Sequence, residues 1–125
     1  MTHEEEPTGA AAFVAHEWRC ALEADSTLID PAMTRAAYAE PRLRQLFPFV
    51  SHGALSLSRC TRFPWTKDVG TLYRRAGGGY VVIRHSDGAT LGEPETAEAA
   101  AALIAAHLPP GTGPAVDGTA EDLAG

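Results

Sequence analysis

The chain has 125 residues, 45% of them aliphatic or aromatic, and a formal net charge of −6. That length supports one core and little more, and that composition excludes an intrinsically disordered polymer. No apolar run approaches the roughly 20 residues of a membrane-spanning helix, and the acidic start of the chain lacks an apolar stretch, so neither a membrane segment nor a secretory leader is expected.

Residues 1–8 read as a flexible acidic arm. A first helix is expected over 9–24, where Ala10, Val14, Trp18 and Leu22 recur every four residues with Phe13 and Ala21 beside them. Asp30-Pro31 is a strong helix start, an N-cap carboxylate followed by a proline whose missing N–H would be unpaired anyway. The second helix is expected over 31–39, ending before Pro41, with a further short helix over 42–47 ended by Pro48. After Gly53 the period changes. Leu55 and Leu57 alternate with Ser56 and Ser58, as in a half-buried strand. A loop over 61–67 follows, then strands over 69–75 and 80–85 joined through Gly77, Gly78 and Gly79. Asp87-Gly88 signals a second turn into a short strand at 90–91. An alanine-rich helix is expected over 95–108, closed by Pro109-Pro110-Gly111, and 109–125 reads as a Pro/Gly-rich acidic tail. The fold class is therefore α+β: N-terminal helices packed on a three- or four-stranded antiparallel meander closed by a C-terminal helix, in one domain over 9–108.

Charge is unevenly distributed. Between Arg35 and Arg84 lie nine basic residues and two acids, a net of +7, and the remainder nets −13. A basic middle in an acidic chain points to a local anionic partner rather than a general nucleic-acid grip. Two cysteines, Cys20 and Cys60, form neither a disulfide framework nor a zinc spacing, which fits reduced thiols in a cytoplasmic protein. Nine of the ten basic residues are arginine and alanine is abundant, the usage of a GC-rich, actinobacterial-type genome.

The densest chemistry lies in residues 41–53 and 58–66, which hold four Arg, three Phe, one Trp, one His and one Cys. Arginine presents a fixed fork of donors to carboxylates or phosphates, and aromatic rings give flat contact area. Arg59, Arg62 and Trp65 flank the turn at the end of the first expected strand, where a loop carried on a rigid sheet holds binding groups. Arg44, Tyr73, Tyr80 and Arg84 join them as substrate-binding candidates. Tyr80 and Arg84 share a strand face opposite Val81 and Ile83, so if Val81 and Ile83 face the helices, Tyr80 and Arg84 face a ligand or a second subunit. His52 and Arg59 are the catalytic candidates, His52 as a general base and Arg59 as a cation for developing negative charge. Each has a plainer alternative. Phe47, Phe49 and Phe63 also suit a core, His85 is either a base or an exposed hairpin residue, and Cys60 is either a nucleophile or a structural thiol. No metal-ligand spacing and no phosphate-binding loop occurs, so neither a metal nor an organic cofactor is expected.

Residues 41–49 and 58–66 resemble a family of small actinobacterial natural-product biosynthesis proteins, and the likeness extends from the first helix to Pro109-Pro110-Gly111. That family is identified with one that includes the lysinoalanine-forming proteins of the duramycin and cinnamycin lanthipeptide clusters. The resemblance implies a late peptide-modifying cyclase that adds a lysine amine to dehydroalanine. It also implies a homodimer whose partner is a modified precursor peptide, with no nucleic acid and no membrane. The alternative is a non-catalytic peptide- or metabolite-binding accessory or immunity module.

Overall fold

The fold pivots on a tight hairpin at His52 and Gly53. Their φ angles of 53° and 79° are both positive, the signature of a two-residue turn whose twist matches the strands it joins. The computed structural model describes residues 9–124; the expected acidic arm at 1–8 lies outside the described residues. Helix α1 (Gly9–Glu23), α2 (Pro31–Ala39) and the single turn α3 (Pro41–Arg44) precede the sheet. Strands β1 (Phe47–Ser51), β2 (Ala54–Ser58), β3 (Thr71–Arg74), β4 (Tyr80–Arg84) and β5 (Ala89–Gly92) form an antiparallel meander in sequence order. Helix α4 (Ala97–Ala106) follows, and the short α5 (Ala120–Ala124) comes last.

The α+β class and the helix–meander–helix order stand as expected, with two corrections to the elements. The sheet has five strands rather than three or four. The extra strand is β1, taken from residues expected to finish a helix at Pro48. Proline is tolerated there because β1 is an edge strand, where its missing N–H costs no ladder bond. Residues 109–124, expected as a tail, instead fold back along the end of β2. Cys60 pairs with Val116 in a parallel bridge, and Thr61 N–H donates to Val116 C=O at 3.0 Å. Arg62 N–H donates to Gly118 C=O at 2.8 Å, and Ala120 N–H to Pro64 C=O at 2.9 Å.

One face of the sheet carries the core. Leu55, Leu57, Leu72 and Val82 lie there fully buried, against Met33, Leu43, Leu46 and Ile104. Asp30 caps α2 as its sequence signalled, accepting from Ala32 N–H at 3.0 Å. Helix α4 approaches closely through Ala97, Ala100, Ala101 and Ala105, all buried. Gly70 sits under it, where a Cβ would stand 2.7 Å from Val82 Cγ1 and 3.2 Å from Ile104 Cγ1. On α1, Val14, Trp18 and Ala21 are buried as the stripe predicts, and Trp18 Nε1 donates to Leu46 C=O at 3.0 Å. Phe13, in the same expected stripe, is exposed.

The burial of Val82 inverts the expected orientation of β4. Tyr80, Val82 and Arg84 point to the helices, and Val81 and Ile83 lie on the other face. The reason is in the segment itself: Tyr-Val-Val-Ile-Arg is apolar at its centre on both parities, so alternation carries no sign.

Candidate functional site

Among the described residues no helix lies across the second sheet face; only the short α5 comes near it, where Ala120 and Leu123 share a hollow with Trp65 and Lys67. Ser56 and Thr71 form the floor of this face, their hydroxyls 3.2 Å apart, and Tyr73 follows two residues along β3 on the same side. Phe47 and Phe49 project to this face from β1, and the 61–68 loop folds Trp65 over them. The Trp65 ring stacks on Phe47 at 5.1 Å and on Phe49 at 5.2 Å between centroids. Phe63 meets Trp65 edge-on and is 76% exposed.

The loop is fixed at both ends. Ser58 Oγ accepts from Thr66 N–H at 3.1 Å, and Thr66 Oγ1 accepts from Arg59 N–H at 2.8 Å. Across the face, Ser86 N–H donates to Lys67 C=O at 2.8 Å, tying the β4–β5 turn to the loop. Between the Trp65 wall and His85 lies a cleft of about 370 Å³, floored by Ser56 and Thr71 and rimmed by Phe49, Lys67 and His85. Next to it, Tyr73 Oη lies 2.7 Å from His85 Nε2. The shared proton belongs to either partner, according to the imidazole tautomer.

This geometry redistributes the candidates read from the sequence. Trp65 and Tyr73 are brought together on the open face. Arg59 lies at the adjoining edge, but its guanidinium is engaged: Nε donates to both Asp68 oxygens at 3.1 Å, and Nη2 pairs with Oδ2. That bond to Asp68 raises the guanidinium pKa further above its ordinary value. Arg62 donates from Nε to Asp117 Oδ1 at 3.1 Å, pinning the returning 115–120 segment. Arg44 lies away from the cleft. It donates to Tyr38 C=O at 2.7 Å and stacks over the Tyr38 ring at 4.9 Å, closing the end of α2.

Tyr80 faces the helices and donates to Asp30 Oδ2 at 2.9 Å, so it buttresses the α2 cap. Its burial first, and then the bond to Asp30, raise its phenol pKa. Arg84 forms a two-point pair with Asp87 at 3.0 and 2.8 Å. His52, the candidate base, stands exposed on the hairpin turn and lines a different groove, beside α1. Cys60 is buried, within 3.3 Å of Ser58 Oγ and bonded to the carbonyls of Arg62 and Pro64, as a structural thiol is.

The charge asymmetry along the chain is offset in part by folding. Arg62, Arg74, Arg75 and Arg84 of the basic middle meet Asp117, Asp30, Glu93 and Asp87 of the acidic remainder. Sequence reasoning did not pick out Ser56, Thr71 and Lys67. The signal for Ser56 and Thr71 is parity, since Thr71 stands two residues before Tyr73 and Ser56 between two core leucines; Lys67, in a loop, has none. Among the described residues no group of three or more His, Cys, Asp or Glu could hold a metal ion, and no helix is long and apolar enough to cross a membrane.

The arrangement defines a helix-backed antiparallel sheet whose second face is left as an aromatic-walled cleft. The chain belongs to a family of unknown function (DUF6193), which matches residues 12–119 and so takes in the sheet, the loop and the returning segment. No curated protein and no solved structure matches it.

Proposed function

We propose that the chain is a cytoplasmic peptide-modifying cyclase of ribosomal natural-product maturation, forming a lysinoalanine cross-link from a lysine and a dehydroalanine on the helix-free face. The observation that supports this reading is the Tyr73–His85 pair, 2.7 Å apart, beside a cleft with an aromatic wall and a hydroxyl floor. The aza-Michael step needs a neutral amine, and it needs an answer to the negative charge that develops on the acceptor carbonyl. The substrate amine gives its proton to the Tyr73 oxygen as the phenol proton moves to His85 Nε2. The nitrogen bonds to the dehydroalanine β-carbon, and the π pair passes to the α-carbon and its carbonyl oxygen. His85 then returns a proton through Tyr73 to the α-carbon, so no atom is lost. Lys67 at the rim supplies the cation opposite the enolate, in place of Arg59 and Arg62, which Asp68 and Asp117 hold. Trp65 and Phe49 seat the apolar part of the peptide, and holding both ends together supplies part of the rate. A homodimer, no nucleic acid and no membrane complete the proposal.

The test is incubation with a thioether-bridged lanthipeptide that retains one dehydroalanine, followed by thiol capping and mass spectrometry. Loss of thiol reactivity at unchanged mass is expected, and it should slow at least tenfold in Tyr73→Phe, a loss typical of a general acid–base group. An unchanged rate in Tyr73→Phe and Trp65→Ala overturns the reading. A second reading, a non-catalytic peptide-binding module, is favoured by the arginines already held by acids. It predicts binding of the same peptide with its dehydroalanine still open to thiols.

A further inference from the structure

We infer that β1 is a strand-addition site: an extended peptide segment pairs with its outer edge, in the groove beside α1, with a lysine or arginine set against Glu17. The inference rests on the reading above that the protein handles a peptide, and it adds a second site to the cleft. The hairpin turn has two residues, so Ser51 and Ala54 form the hydrogen-bonded pair that closes it. Alternation then makes Phe49–Ser56 and Phe47–Ser58 the inward-bonded pairs. Pro48 and Val50 therefore turn their backbone groups outward; Pro48 is fully buried, so the half-buried Val50, with its outward N–H and C=O, is the point of the edge that a peptide can pair with.

The next carbonyl upstream, Leu46 C=O, is already taken by Trp18 Nε1. Beyond it, β1 opens into a groove of about 660 Å³ between the strand and α1. Its walls are apolar in part, with Ala21, Ala24 and Leu28 on one side and Phe49 on the other, and polar at Glu17, Thr27 and His52; Leu28 is 59% exposed. An edge residue with outward backbone groups beside an apolar wall is a point that extended peptides pair with, main chain for affinity and alternate side chains for selectivity.

Charge selects the occupant. Glu17 lines this groove and the neighbouring cavity toward Arg62, and among the described residues it makes no ion pair. His52 closes the far end at the turn. A cationic side chain is thus favoured opposite α1. Phe49 lines both this groove and the Trp65–His85 cleft. A peptide anchored on β1 is therefore continuous with the face where the chemistry is proposed.

The experiment is a nitrogen–proton correlation titration of the full chain with an alternating Val-Lys heptapeptide, with amide exchange at Val50 as the second readout. Val50 and its neighbours in β1 should shift, and Val50 exchange should slow at least tenfold. A peptide N-methylated at alternate residues should bind about tenfold more weakly, the effect of losing one or two backbone bonds. Val50→Pro should do the same, since an edge tolerates proline with its N–H side outward. Glu17→Gln should weaken the Val-Lys peptide and remove its advantage over a Val-Glu peptide. If peptide shifts Thr71 and His85 but not Val50, strand addition is wrong and the cleft reading stands. If it shifts neither, both fail. Slow Val50 exchange without peptide, in a chain that sediments as a dimer, assigns the edge to a second copy and overturns the inference.

Discussion

The two faces of the sheet are built on opposite terms. The helix side is closed by Leu55, Leu72, Val82 and Ile104, with alanines and Gly70 letting α4 approach the strands. The other side carries Ser56, Thr71 and Tyr73 beside a single indole stacked on Phe47 and Phe49, held by a loop tied to Ser58, Ser86 and the returning 115–120 segment. Stability resides on the first face. The second keeps an imidazole, a phenol and the half-buried Ser56 hydroxyl within reach of the cleft, with Thr71 buried beneath them. The lesson is that one sheet divides structural and chemical roles by side-chain parity alone.

The largest effect expected from breaking this division is on the closed side. Leu72→Ala should lower unfolding free energy by about 2–5 kcal/mol, the range for emptying a buried leucine site. Urea unfolding followed by the buried Trp18 would measure it. Trp65→Ala should cost less stability, about 1–3 kcal/mol for a half-buried ring stacked on two phenylalanines, yet remove most peptide affinity. A Trp65→Ala protein that binds peptide like the parent would place the working surface elsewhere. Asp117→Asn tests the brace behind the cleft. It loses an exposed ion pair to Arg62 and weakens the bond from Thr61, so about 1 kcal/mol is expected, with faster proteolysis within 61–68.

The smallest effect belongs to the turn beside His85. The bond from Arg84, then Ala89 N–H, holds the Asp87 carboxyl down at about 2 from an ordinary 3.8. A depressed carboxylate stabilises the fold above its unfolded value and loses that contribution as pH falls through the folded one. Parent stability should therefore decline between pH 4 and 2 by a margin that Asp87→Asn lacks, as read by urea midpoints at each pH.

Much of this architecture was legible in the chain. Asp30-Pro31 marked α2, the change of period marked the sheet, and the glycine cluster marked the β3–β4 hairpin. The edge strand was hidden because Pro48 is read as a stop unless the strand is known to lie at an edge. The returning segment was hidden because its pairing partners, Arg59 to Pro64, lie more than 50 residues away, and Pro/Gly composition says nothing of such pairing. For the site, Trp65 and Tyr73 were found by residue type. Arg59 and Arg62 were chosen for a charge that Asp68 and Asp117 neutralise, contacts no local pattern encodes. His85 needed the register of β3 against β4 before its partner Tyr73 could be seen.

The central claim, that the helix-free face is the working surface, is tested most directly by hydrogen-exchange mass spectrometry with and without a lanthipeptide retaining one dehydroalanine. Slowed exchange in 65–73 and 80–86, with α2 and α4 unchanged, is the result expected. Protection confined to α2 and α4, with the Trp65 loop exchanging as in the free protein, would contradict it.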